Sequence, residues 1–138
     1  MKNVFVMDAC ALIAFLADEE GADRVEGVLT DAKNGKCQLY MNTINVLEVF
    51  YGVYREDGKE RAEEVLEKIA GLPIKVIGTL KKGVFKEAGR LKATYRISLA
   101  DSIAASEALI KKARLMTSDH HELDKIEDRE KIDFYWIR

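Results

Sequence analysis

An α/β fold with a mainly parallel central sheet is predicted for this chain by three observations. Short β-like apolar runs alternate with helical patterns along its length. No repeat, low-complexity stretch or Ser/Gly/Pro-rich linker divides it. Its 138 residues suit one domain, residues 1–138, which at this size buries ~68–70% of its unfolded surface. Strand–helix alternation favours a sheet covered by helices on both faces.

The elements follow in order. Asn3–Met7 is a strand candidate ending at Asp8, and Ala9–Ala17 a short buried helix. Glu20–Lys33 places Val25, Val28, Leu29 and Ala32 at the i, i+3, i+4, i+7 spacing of an amphipathic helix. Cys37–Met41 is the second strand. Thr43–Arg55 is helical, with Asn42 or Thr43 as N-cap. Gly58 separates it from Glu60–Ala70, whose buried stripe is Val65, Leu66 and Ile69, and Gly71 stops that helix. Pro73–Ile77 is the third strand. Leu80–Tyr95 and the Ala-rich Leu99–Ala113 are helices, and Arg114–Thr117 is the fourth strand. A polar segment runs to Lys131, and Phe134–Ile137 forms a final edge strand.

Composition narrows the function classes. Hydrophobic residues at 48% and charged residues at 33% exclude a disordered or fibrous chain. The longest apolar run, Ala9–Ala17, is far short of the roughly 20 residues of a membrane span. Asp8 interrupts the only apolar stretch near the N-terminus, which argues against a secretory signal. Two cysteines, Cys10 and Cys37, make neither a disulfide scaffold nor a zinc site. A cytoplasmic protein is expected. With 22 basic and 24 acidic residues the net charge is −2, so no global basic field holds nucleic acid. A nucleic-acid substrate would need its phosphates met by a bound divalent cation.

In parallel α/β sheets ligands bind beyond the carboxyl ends of the strands, where Asp8 follows the first strand and Asp119 the fourth. Most acids lie in solvated runs, such as Asp18-Glu19-Glu20 and Glu122 through Glu130. Asp8, Glu48 and Asp101 are instead lodged singly among apolar or small residues. Asp101 shares a helix face with Ala104, Ala105 and Ala108, which lets another element approach closely. An isolated buried carboxylate costs several kcal/mol unless paired, protonated or metal-bound. Asp8 and Asp101 also sit near helix starts, where capping is an alternative reason for a carboxylate. Glu48 lies inside a helix with no basic residue at i±3 or i±4, so capping does not explain it. Hard oxygen donors without converging His and Cys point to Mg²⁺ or Mn²⁺ rather than zinc.

These residues resemble a known pattern. Asp8 after an N-terminal strand, Glu48 in Leu-Glu-Val-Phe-Tyr-Gly, Asp101 in Ser-Leu-Ala-Asp-Ser-Ile-Ala-Ala and Asp119 in Thr-Ser-Asp are similar to PIN-domain ribonucleases, most of all VapC-type toxins. The likeness runs from Asn3 to Ile137. It implies a three-layer α/β/α sandwich and Mg²⁺- or Mn²⁺-dependent endonuclease activity on RNA. It also implies a homodimer, a cognate antitoxin that blocks the site, and Asp8, Glu48, Asp101 and Asp119 as catalytic, metal-binding acids. Family members often carry a small hydroxyl residue one or two positions after the first acid, whereas Ala9 and Cys10 follow Asp8 here. Thr117 is a candidate to orient a water or ligand.

Other signals are weaker. Lys82, Lys86 and Arg90 are four apart, either a phosphate rail or a solvated helix face. His120-His121 reads as a surface loop rather than a metal site or a general base. Tyr51, Tyr54 and Tyr95 read as core or interface residues rather than base-stacking platforms. An aspartyl-phosphate phosphatase would need an acid where Cys10 stands. A stand-alone RNA-processing nuclease and a non-catalytic PIN-like binding module are the remaining alternatives. Against the latter, a scaffold has no need for buried charge at all four positions.

Overall fold

A computed structural model describes residues 3–138. Its elements are β1 (Val4–Met7), α1 (Ala9–Leu16), α2 (Ala22–Lys33), β2 (Gln38–Asn42), α3 (Thr43–Asp57), α4 (Lys59–Ala70), β3 (Lys75–Ile77), α5 (Lys82–Thr94), α6 (Leu99–Lys111), β4 (Arg114–Thr117), α7 (His120–Arg129) and β5 (Asp133–Trp136). The five strands form one sheet in the order β3-β2-β1-β4-β5. Every pairing is parallel, so the mainly parallel sheet expected is wholly parallel.

Strand β1 lies at the centre and is buried along its whole length, as a strand covered on both faces must be. Its side chains alternate between two cores. Phe5 and Met7 join Leu12 of α1, Val25 and Leu29 of α2, and Met116. Val4 and Val6 join Leu91 of α5, Ala104, Ala105 and Ala108 of α6, and Leu123 and Ile126 of α7. This is the three-layer α/β/α sandwich. Among the described residues no helix is long and apolar enough to cross a membrane.

Element ends follow local chemistry. Asn42, not Thr43, caps α3, its side chain accepting from the Ile44 N–H. Gly21 precedes α2 with φ +96°, and a Cβ there would lie 2.6 Å from the Ile137 carbonyl oxygen. Only glycine lets the C-terminal segment pass that close. The third strand begins at Lys75, two residues after Pro73.

The segment read from sequence as polar and irregular, which contains His120-His121, is helix α7. Its apolar anchors are only Leu123 and Ile126, too few to make a clear stripe. The missed sign was Asp119 followed three residues later by Glu122, a helix-start signature. Asp119 caps the helix by accepting from the Glu122 N–H at 3.1 Å.

Candidate active site at the sheet's switch point

Chain direction across the sheet reverses between β1 and β4, because β2 and β3 extend one way and β5 the other. A crevice at the carboxyl ends is expected at such a point. Met7 pairs with Met116, which sets Asp8 beside Thr117. Asp8 caps α1, its Oδ1 accepting from the Ala11 N–H at 2.9 Å. Its Oδ2 accepts from Thr117 Oγ1 at 2.5 Å. The Thr117 oxygen in turn accepts from the Asp119 N–H at 3.0 Å. The hydroxyl beside the first acid, absent at Ala9 and Cys10, thus comes from the end of β4.

Asp101 lies in the first turn of α6 and is buried. Ser98 caps this helix, accepting from the Asp101 N–H at 3.1 Å, so capping does not occupy the Asp101 carboxylate. Helix α3 is fastened to α6 by two amides. Asn45 Nδ2 donates to the Ala100 carbonyl at 3.1 Å, and Asn42 Nδ2 donates to Glu107 Oε2 at 2.8 Å. The first bond sets Glu48, one turn beyond Asn45, towards Asp101, one residue beyond Ala100.

Electrostatics join the four acids. Burial pushes the Asp8 carboxyl up to about 7, its bonds to Thr117 and Ala11 pull against that, and repulsion from Asp119 and Glu48 adds to it. Burial raises Asp101 to about 8, helped by the charges of Asp8, Asp119 and Glu48. Glu48 is also raised, by burial and then by Asp119 and Glu122. The Cys10 thiol is pushed up by burial and by the same four acids, so it is not a thiolate nucleophile.

As the side chains stand, no three His, Cys, Asp or Glu among the described residues are grouped so as to hold a metal ion. The donor chemistry nevertheless suits Mg²⁺ or Mn²⁺. It comprises carboxylates that feel one another's charge, a hydroxyl on Asp8, and Asn45 Oδ1, buried with no hydrogen-bond partner among the described residues. These are all hard oxygens.

Other sequence signals resolve differently. Glu107, in Ala-Ser-Glu-Ala-Leu-Ile, was not singled out although its setting matches that of Asp101. It is 1% exposed, held by Asn42 and 3.8 Å from Lys111 Nζ. Arg90 is no free phosphate contact, because Glu130 grips it through two hydrogen bonds and Glu87 through a third. Lys82 and Lys86 are exposed on α5. Tyr95 is a core residue whose hydroxyl donates to Glu130, whereas Tyr51 and Tyr54 are exposed on α3. His120 Nδ1 meets Asp124 and its Nε2 meets the Arg138 carbonyl.

The family model described as "PIN domain" matches residues 5–128. The fold is similar to that of a chain in the DNA-bound VapBC structure from Salmonella typhimurium, at TM-score 0.74, 15% identity and 100% coverage of both chains. It is also similar to VapBC2 from Rickettsia felis bound to promoter DNA, at TM-score 0.72 and 19% identity, covering 96% of this chain and 97% of that one. VapBC-1 from nontypeable Haemophilus influenzae matches at TM-score 0.71 and 19% identity, covering 97% and 98%. No curated protein matches.

Proposed function

The chain belongs to the PIN-domain family, and on that premise we propose that it is a metal-dependent endoribonuclease, the toxin of a toxin–antitoxin pair. PIN domains are in general nucleases that use divalent metal ions. The reading rests above all on Asp8 and Asp101, two buried carboxyls that feel each other's charge. Asp8, Glu48, Asp101 and Asp119 are the residues that would hold Mg²⁺ or Mn²⁺. A bound divalent cation lowers the pKa of its water and neutralises charge developing on the phosphoryl oxygens. Thr117 keeps the Asp8 carboxylate in one orientation. The Asn42 and Asn45 amides tie β2 and α3 to α6, the helix that carries Asp101. With a net charge of −2, the chain as a whole offers RNA phosphates no general attraction.

An antitoxin partner is supported by the VapBC complexes that share the fold. It is supported too by a groove of about 440 Å³ between α1, α3 and α4, lined by Ile13, Leu16, Val53 and Val65. Leu47, Tyr51 and Tyr54 form an exposed stripe along α3 that suits a homodimer contact. The test is cleavage of single-stranded RNA by purified protein. Mg²⁺ or Mn²⁺ should support it, EDTA should stop it, and a co-expressed antitoxin should block it. Undiminished cleavage in EDTA, or none with either ion, refutes the reading.

A further inference from the structure

Trp136, the only tryptophan of the chain, pairs with Thr117 across β4 and β5. Paired parallel residues stand about 4.8 Å apart and face the same side. The indole therefore lies one strand away from the hydroxyl that holds Asp8. Phe134 stacks on it with centroids 5.0 Å apart and planes 14° apart. His120 stacks on it at 3.8 Å and 12°, and the indole N–H is held by Glu127 at 2.9 Å.

Both nitrogens of the His120 ring are engaged, by Asp124 at 2.7 Å and by the Arg138 carbonyl at 2.9 Å. One ring face is against Trp136, yet the side chain is 49% exposed. What remains open is the opposite ring face. His120 reaches the acid site through its stacking partner, because Trp136 pairs with Thr117, whose hydroxyl holds Asp8. A ring locked at both edges and backed by an indole has lost its freedom before any ligand arrives.

We propose that the outward face of His120, backed by Trp136, is a stacking seat for one unpaired RNA base beside the scissile phosphate. The proposal rests on the nuclease reading above. Unpaired bases stack on aromatic side chains regardless of sequence. Such a contact suits a chain whose net charge of −2 offers phosphates little general attraction. The seat admits single strands, because a base within a duplex has no free face to offer.

The experiment uses the full chain and a fluorescent, uncleavable 2′-O-methyl RNA oligonucleotide in EDTA, with affinity read by anisotropy. His120→Ala is expected to weaken binding about tenfold, and His120→Phe, which keeps a flat ring, to restore it. Scanning one abasic position along the oligonucleotide should find a place where wild type binds as weakly as His120→Ala. With cleavable RNA and Mg²⁺, His120→Ala should raise KM and leave kcat unchanged. If wild type binds and cleaves RNA but His120→Ala binds equally well, or His120→Phe fails to restore binding, the seat is wrong and the nuclease reading stands. If wild type neither binds nor cleaves RNA, both fall.

Discussion

Thr117 Oγ1 donates a 2.5 Å hydrogen bond to Asp8 Oδ2 across 109 positions of sequence. The same oxygen accepts from the backbone N–H of Asp119. One hydroxyl thereby joins the acid that follows β1 to the acid that follows β4. The parallel pairing of those strands makes the contact possible.

Replacing Thr117 by Val keeps the shape and removes the hydroxyl. The Asp8 carboxylate then loses its donor and the Asp119 N–H its acceptor in a buried place, which costs about 1–3 kcal/mol. RNA cleavage should fall about 10–100-fold, as for residues that orient metal ligands. Thr117→Ser should recover most of both. A Val variant that melts and cleaves like wild type would remove Thr117 from the site.

Asp101→Asn is nearly isosteric and should leave the fold intact, because the carboxylate caps nothing and Ser98 holds the helix start. Cleavage should fall by about two orders of magnitude or more, the scale of losing one charge-stabilising group. Circular dichroism and a cleavage assay on nuclease-free protein decide this. A wild-type rate would sink the assignment.

Without metal, stability should fall as pH rises through neutrality. Asp8 and Asp101 titrate at about 7 and about 8 when folded, against ~3.9 unfolded. The folded state therefore holds more protons between those values, and linkage makes stability decline there. The contribution is full below pH ~4 and is gone above the folded values. Glu130, lowered by its bonds to Arg90, acts in the opposite sense and loses its contribution only in acid. Melts in EDTA should give a higher Tm at pH 5 than at pH 9. The reverse order would contradict the site's electrostatics.

Asp8→Asn removes one repelling charge while Asn still caps α1. Metal-free Tm at pH 8 should rise or stay level. Saturating Mn²⁺ at a hundredfold above its dissociation constant should stabilise wild type by about 2.7 kcal/mol, and the variant by much less. A large metal-free loss with an unchanged Mn²⁺ response would leave Asp8 a helix cap only.

Local chemistry made much of this protein legible from its sequence. The alternation of Val4, Phe5, Val6 and Met7, the stripe of Val25, Val28 and Leu29, and the stop at Gly71 are decided within a few residues of chain. Asp8 and Asp101 were conspicuous because a lone carboxylate among apolar neighbours needs a reason. The same test applied to Glu107 would have marked it, and Asp119 with Glu122 would have marked α7.

What only the tertiary structure decided is which buried polar group meets which. That Asn42 reaches Glu107 over 65 positions, that Thr117 holds Asp8, and that Arg90 is taken by Glu130 depend on strand register and helix placement. Hydrophobic period is a property of neighbouring residues, and any helix or strand satisfies it alone. A buried donor or acceptor is satisfied by whatever the fold brings within about 3 Å, and the local pattern carries no trace of that partner.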